Sequence, residues 1–174
     1  MNDNRVRPLR IRWKKGRDGR HSLTCTREDG STTVQHTERE FFPLHDLTHY
    51  AVESVLAHRR GFYGLVADGW DLTDFGTPWP RGPLPVDLDP SELIVGQIDL
   101  EKATGMRIDA VALNVYIRDW LAEHSPLQRL VHEITDSDLE SIRTLRNELH
   151  EQWRALEPGA AMELVFPAGQ ATED

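Results

Sequence analysis

Three short stretches near the N-terminus have strand character, and they constrain the fold more than any other feature of the chain. Residues 9–15 and 21–26 alternate between apolar and polar side chains, and residues 31–36 are rich in Thr and Val. Alternation of this kind is typical of a strand with one buried face. The links at residues 16–19 and 28–31 contain the glycines that tight hairpins require. The sequence therefore predicts an antiparallel meander.

Helical periodicity dominates the middle of the chain. Residues 43–60 place apolar side chains on one face, with Pro43 in the first turn and Gly61 in a position to end the helix. A second helix is predicted over residues 90–105, and a third follows it at once. A further helix is predicted over residues 137–156, where apolar residues recur at helical spacing.

The third of these helices and the last strand complete the predicted fold. The buried stripe of that helix is expected to consist of Ile108, Val111, Ala112, Val115, Trp120 and Leu121. Residues 162–166 alternate again and predict a strand that returns to the sheet. Strands at the two ends and helices between them indicate an α+β fold, an antiparallel sheet of three N-terminal strands plus a C-terminal strand, packed against four to five helices.

Length and composition are those of one soluble domain. The chain has 174 residues, 39% of them hydrophobic, which is enough to bury a core without disulfides. We therefore expect residues 1–174 to form one domain, with flexible tails at 1–7 and 168–174. Cys25 is the one cysteine, so we expect a buried residue in a reducing compartment, the cytoplasm. The sequence has no apolar run long enough to predict a membrane span.

Charge is distributed unevenly along the chain. The net charge is −9, yet residues 1–20 hold eight Lys or Arg against two Asp. The bases Arg10, Arg12 and Lys14 alternate with apolar residues, which predicts a strand with a basic solvent face. A docking surface for an anionic partner is the alternative. Nucleic acid is not expected, because Trp13 falls on the other face and the overall charge is negative.

The first predicted helix carries the pattern H-D-x-x-H-x-x-x-E, formed by His45, Asp46, His49 and Glu53. At about 100° per residue, these four side chains occupy one side of the helix. Two imidazoles one turn apart and a carboxylate one turn further on can form a two-His-one-carboxylate metal site. The sequence thus predicts that His45, His49 and Glu53 bind a divalent transition metal, zinc in preference to iron or manganese.

Because the rise from residue 45 to residue 53 is about 12 Å, Glu53 would have to reach back towards the ion, and a ligand from elsewhere in the chain is the alternative. The candidates nearest in sequence are His36 and the acidic residues Asp68, Asp71 and Asp74. The alternative is a structural network, in which the histidines are hydrogen-bonded within the core. Further along, His150 lies among charged residues of the last helix, where we expect solvated ion-pair partners.

Two families share part of this pattern. It resembles the H-E-x-x-H of zinc metallopeptidases, with Asp46 in the position of the catalytic Glu. It is also similar to the H-D-x-x-H zinc motif of the coenzyme-Q-biosynthesis scaffold family, which has a Glu twelve residues after the second His, where this chain has Gly61. Each resemblance covers fewer than ten residues and implies a zinc site rather than family membership.

Residues 68–88 are rich in Pro, Gly and aromatic residues and predict a long loop. Its aromatic residues Trp70, Phe75 and Trp79 are candidates for a lid or binding loop, or for anchors over the core. The first functional hypothesis is a metal-dependent hydrolase acting on a small molecule, with Asp46 as a general base or as an orienter of a ligand histidine. The second is a non-catalytic protein-interaction or regulatory module in which the His/Asp/Glu cluster is structural.

Overall fold

The computed structural model of the chain describes residues 7–76, 82–125, 130 and 132–167. Three strands come first, helices follow, and a fourth strand ends the described part. The strands are β1 (Leu9–Lys14), β2 (His21–Thr26), β3 (Thr32–Thr37) and β4 (Ala161–Phe166). The helices are α1 (Phe41–Val55), α2 (Phe62–Ala67), α3 (Ser91–Thr104), α4 (Ala110–His124) and α5 (Asp136–Ala155), with a 3-10 helix at Leu72–Phe75. The predicted α+β fold is confirmed.

The four strands form one antiparallel sheet in the order β3-β2-β1-β4. Ile11 on β1 pairs with Cys25 on β2 and with Leu164 on β4, so the C-terminal strand closes against the first strand. Gly19 and Gly30 lie in the two hairpin links at positive φ, as tight turns demand. The predicted meander and the returning fourth strand are both confirmed.

One face of the sheet packs on the helices and the other faces solvent. On β1 every second residue, from Leu9 to Trp13, is buried, while Arg10, Arg12 and Lys14 are exposed. The inner face meets α5, where the Trp13 and Trp153 rings lie 5.9 Å apart, edge to face. The basic row of β1 is therefore on the outer face, as the alternation predicts.

The apolar side chains form two clusters, and α1 contributes to both. The first cluster lies between the sheet, α1, α2 and α5 and includes Leu47 and Tyr50 of α1. The second lies among α1, α3, α4 and α5 and includes Val52 of α1 and Ile94 of α3. Helix α1 is thus in the centre of the molecule, packed against both α5 and α3.

The first helix is shorter than predicted. It ends at Val55, and a new helix, α2, begins at Phe62 after the N-cap Gly61. The chain leaves the helix at Ala57, which has a positive φ of 52°. Glu53 stabilises the start of α2, since its carboxylate accepts hydrogen bonds from the backbone amides of Phe62 and Tyr63 at 2.7 and 3.0 Å. These amides belong to the first turn of α2 and have no partner within that helix. Gly61 therefore starts a helix instead of ending one.

The buried face of α4 is also different from the prediction. Val111 is 74% exposed and Val115 is 45% exposed, while Leu121 is buried as expected. Asn114 faces inward and exchanges two hydrogen bonds with the backbone of Ile134, at 2.8 and 3.0 Å. A pattern of apolar residues alone favours the wrong face, because this buried polar side chain sets the rotation of the helix.

None of the described helices combines the length and the apolar content that a membrane span requires. The described residues do not include positions 1–6 of the predicted tail at 1–7 or the predicted tail at 168–174. They also do not include residues 126–129 and 131, between α4 and α5.

Candidate metal centre

His45 and His49 lie one turn apart on α1, on the side that faces α3. Their ring centroids are 4.9 Å apart. His49 is buried and His45 is partly buried. Phe41 stacks on His45, and Phe62 packs against His49, so aromatic rings hold both imidazoles in place. The structure therefore brings together the two histidines that the sequence singled out.

Glu92, in the first turn of α3, faces both histidines. Its carboxylate oxygens lie 2.9 Å from His49 Nε2 and 4.0 Å from His45 Nε2. One ligand atom from each of the three residues lies within 4.8 Å of the other two. Tetrahedral zinc places its ligand atoms about 3.3 Å apart, so shifts on the order of an ångström would complete the geometry.

The opposite ring nitrogens of the two histidines are each fixed by a carboxylate. His45 Nδ1 lies 2.8 Å from Asp99 Oδ2, and His49 Nδ1 lies 3.2 Å from Glu53 Oε1. A carboxylate can only accept, so each Nδ1–H donates and each Nε2 faces Glu92. This carboxylate–histidine arrangement is the usual support of a metal-ligating imidazole, since it fixes the tautomer and the ring orientation.

Glu53 was predicted to be a ligand, and the structure places it elsewhere. Its carboxylate is fully buried and accepts hydrogen bonds from the backbone amides of Phe62 and Tyr63 and from His49 Nδ1. The helical rise carries Glu53 past the imidazoles to the side of His49 remote from Glu92. Glu53 therefore anchors His49, and Glu92 instead joins His45 and His49 in the group that could hold a metal.

Gly61 lies against the same carboxylate. A Cβ atom at this position would be 2.5 Å from the Glu53 carboxylate and 2.6 Å from Ser91 Oγ. The coenzyme-Q-biosynthesis scaffold family has a Glu at the matching distance from its second His. In this chain Glu53 fills the space, and position 61 has no room for any side chain.

The charge state of His49 depends on these neighbours. Burial opposes its charge, but the hydrogen bonds to Glu53 and Glu92 outweigh burial and raise the pKa of His49 to about 10. The hydrogen bond from His49 in turn lowers the pKa of Glu92. Without metal, a proton on His49 Nε2 thus lies where an ion would bind, and metal and proton compete for this nitrogen.

Asp46 is buried next to the cluster. Burial raises the pKa of its carboxyl to about 6, although the charges of His49 and His45 oppose this shift. Its backbone carbonyl accepts a hydrogen bond from the Tyr63 hydroxyl at 3.1 Å, which fixes this part of α1. A carboxyl with a pKa near the working pH is suited to general acid–base chemistry.

A cavity of about 610 Å³ opens onto these groups. His45, Asp46, His49 and Glu92 all line it, and this volume is in the range of small-molecule sites. Its remaining walls are largely apolar and include Phe42, Phe62, Leu65, Phe75, Leu84 and Leu88. The cluster can therefore be reached by a ligand of moderate size.

The predicted aromatic loop contributes one wall of this cavity. Phe75 and Gly76 line the cavity, and Phe75 packs against Phe62 with ring centroids 4.8 Å apart. Trp70 also packs against Phe75, with ring centroids 5.8 Å apart. Trp79 lies outside the described residues. Within the described part, the loop includes the 3-10 helix at Leu72–Phe75.

The other candidates from the sequence have different roles. Asp68 and Asp71 form ion pairs with Arg60 and Arg27, and Asp74 accepts the Asp71 amide. His36 is exposed on β3. Among the described residues, none of these four belongs to the group that can hold a metal.

Cys25 and His150 are both buried. Burial raises the pKa of the Cys25 thiol to about 12, which agrees with a structural role. His150 was expected to be solvated, but its Nε2 lies 2.8 Å from the Leu44 carbonyl and 3.2 Å from Thr48 Oγ1. Thr48 in turn donates to Asp99. His150 therefore belongs to the polar network behind the site.

Sequence reasoning missed Glu92 and Asp99. Glu92 was assigned to the start of α3, where an acidic residue is common and needs no other explanation. The sequence signal that could have found them is their spacing. Glu92 and Asp99 are seven residues, or about two helical turns, apart, which places both on one face of α3. Only the packing of α3 against α1 shows that this face meets the histidines.

Comparisons with protein-family models, with curated proteins and with solved structures give no match for this chain. Its function must therefore be inferred from the chemistry of the site.

Proposed function

We propose that the protein binds one divalent transition metal ion through His45, His49 and Glu92. The observation that carries this proposal is the convergence of these three ligands together with the anchoring of each histidine by its own carboxylate, Asp99 or Glu53. In an incidental cluster of polar side chains, we would not expect both imidazoles to be oriented in this way.

Zinc is the preferred ion. Two histidines and one glutamate are the ligand set of many catalytic zinc sites, and nitrogen and oxygen sites bind zinc more tightly than iron(II) or manganese(II). The same set also suits non-haem iron(II), which is the nearest competitor.

Metal-assisted hydrolysis is the reaction that this site would support best. Three protein ligands leave a coordination position for water, and the ligand atoms face the cavity of about 610 Å³. A bound metal would make such a water acidic enough to act as a nucleophile near neutral pH. Asp46 lines the same cavity and would accept the proton.

A structural role of the cluster is the second candidate, and one observation favours it. In the metal-free chain both ring nitrogens of His49 already have carboxylate partners, Glu53 and Glu92. The cluster is therefore a satisfied ionic network without any metal. In that case the protein would be a non-catalytic interaction module.

Metal analysis separates these two functions. The untagged protein, purified without chelator, is compared with Glu92→Gln and with the control Glu123→Gln, which changes an exposed glutamate of α4. We expect about one metal ion per chain in the wild type and the control, and a loss of most of it in Glu92→Gln and in His45→Ala/His49→Ala. A wild type that contains no metal and does not bind added zinc or iron(II) would favour the structural role.

A further inference from the structure

A second cavity, of about 490 Å³, lies beside the one that opens onto the metal ligands. It is formed by the segment before α3 and by the C-terminal end of α4. Most of its walls are apolar, among them Pro85, Val86, Leu93, Trp120 and Leu121. This second cavity is large enough to hold part of a ligand.

The two cavities share a wall. Leu84, Leu88, Asp89 and Glu92 line both of them. The side chain of Glu92 is 75% exposed and borders each space. A molecule bound at the metal ligands would therefore lie next to the second cavity.

Two polar side chains of the second cavity have partners within the protein. The Asp89 carboxylate accepts the amides of Arg59 and Arg60 at 2.8 and 2.7 Å. His124 stacks on Trp120, with ring centroids 4.5 Å apart, and its Nδ1 bonds to the Trp120 carbonyl. Most of the surface that remains for a ligand is apolar, and its burial contributes free energy in proportion to its area.

From this juxtaposition we infer that the substrate is an amphiphilic acyl compound, an ester or amide with an alkyl tail. Its acyl head would bind at the His45/His49/Glu92 site and its tail would occupy the second cavity. This inference rests on the proposed metal site and specifies its substrate class. The occupant of the second cavity is thus the remote part of the same molecule, since Leu84, Leu88, Asp89 and Glu92 line both spaces.

A series of hydroxamates with growing alkyl chains tests the inference in the zinc-loaded protein. The hydroxamate group binds the metal, so only the tail changes from acetohydroxamate to hexanohydroxamate and octanohydroxamate. Each buried methylene contributes about 0.8 kcal/mol, or about fourfold in affinity. We expect octanohydroxamate to bind at least about 100-fold more tightly than acetohydroxamate, measured by isothermal titration calorimetry.

Two matched variants locate the effect. Val86 is 65% exposed and lines the second cavity, so Val86→Asp places a charge there with little risk to folding. Val111 is 74% exposed on α4 and is not among the residues lining either cavity, so Val111→Asp is the control. We expect Val86→Asp to lose most of the dependence on chain length while binding acetohydroxamate normally, and Val111→Asp to behave as the wild type.

The outcomes distinguish this inference from the proposed function. If zinc binds but affinity does not depend on chain length, the inference is wrong and the metal site stands. If the protein binds no metal, the proposed function is wrong. Titration of the metal-free chain with 1-octanol then tests whether the second cavity binds an apolar tail. Shifts of the Trp120 indole resonance that Val86→Asp abolishes would support an apolar-tail site, and their absence would overturn it.

Discussion

Asp99 and Glu92 approach the same imidazole from its two sides: Asp99 accepts from His45 Nδ1 at 2.8 Å, and Glu92 lies 4.0 Å from His45 Nε2. The two acids are two turns apart on α3 and therefore share a face. One helix thus supplies two carboxylates on opposite sides of His45. The candidate metal site depends on the α1–α3 contact as well as on the H-D-x-x-H segment.

The first prediction concerns Asp99. Asp99→Asn removes the negative charge behind His45 but keeps the size of the side chain, so we expect zinc affinity to fall by about 10- to 100-fold. Competition with a chromogenic chelator measures this change. Asp119→Asn, an exposed change on α4, should leave affinity unaltered. Equal affinities of the two variants would mean that Asp99 does not orient the ligand.

The second prediction concerns Gly61. In Gly61→Ala the new methyl group meets the Glu53 carboxylate and Ser91 Oγ, so one of them must move. We expect a loss of about 1–3 kcal/mol in the free energy of unfolding, together with weaker zinc binding because His49 loses its anchor. Urea denaturation and the chelator assay measure the two effects.

Gly96 provides the matched control for this change. It lies within α3, and a Cβ atom there would meet nothing within 4 Å. Gly96→Ala should raise the stability by about 0.5–1 kcal/mol, since glycine is a poor helix former. If Gly61→Ala were also neutral or stabilising, Glu53 would not be held in the position that anchors His49.

The third prediction concerns pH and His150. Burial lowers the pKa of His150 to about 4, and the positive charges of Lys102, Arg146 and Arg154 add to this shift. An unfolded chain has a histidine pKa near 6.5. Between these two values the unfolded chain binds a proton that the folded chain does not, so the stability contributed by neutral His150 is lost as the pH falls from about 6.5 to about 4.

Comparison of wild type with His150→Gln measures this effect. We expect the wild type to lose about 1–2 kcal/mol more than the variant between pH 7 and pH 4.5, after allowance for screening by solvent. Urea denaturation at several pH values gives both slopes. Parallel slopes would show that His150 keeps an ordinary pKa in the folded protein.

The fourth prediction concerns Asp46. Asp46→Asn leaves the three ligands in place, so zinc content should be unchanged. Hydrolysis of a nitrophenyl ester with an alkyl acyl chain should fall by about 100-fold or more, as expected when a general base is removed. Loss of zinc together with activity would instead assign Asp46 to the support of the metal.

The sheet and the histidine pair were predictable because each depends on local spacing. Leu9, Ile11 and Trp13 alternate strictly with bases, and His45 and His49 are one helical turn apart. Such periodicities are visible in the sequence whatever the rest of the chain does. β1, β2 and β3 follow the rule that consecutive antiparallel strands are neighbours, whereas β4 pairs with β1 rather than with β3.

The remaining features depend on contacts between distant segments. Glu92 faces His45 and His49 only because α3 packs against α1, and the sequence between them does not encode that contact in any local pattern. The buried face of α4 depends on Asn114, whose partner is the backbone of Ile134, twenty residues later. Glu53 was assigned to the wrong side of His49, because its partners are the amides of α2, a helix that is not predicted from the sequence.

The position of α1 between the two apolar clusters has a consequence for how the protein opens. Leu47 and Tyr50 belong to one apolar cluster and Val52 belongs to the other. Unfolding of either cluster would therefore expose one side of α1. The two apolar clusters should therefore unfold as one cooperative unit. Backbone amides around His49 should then exchange with deuterium only through global unfolding, at rates that match those of the central strand β1.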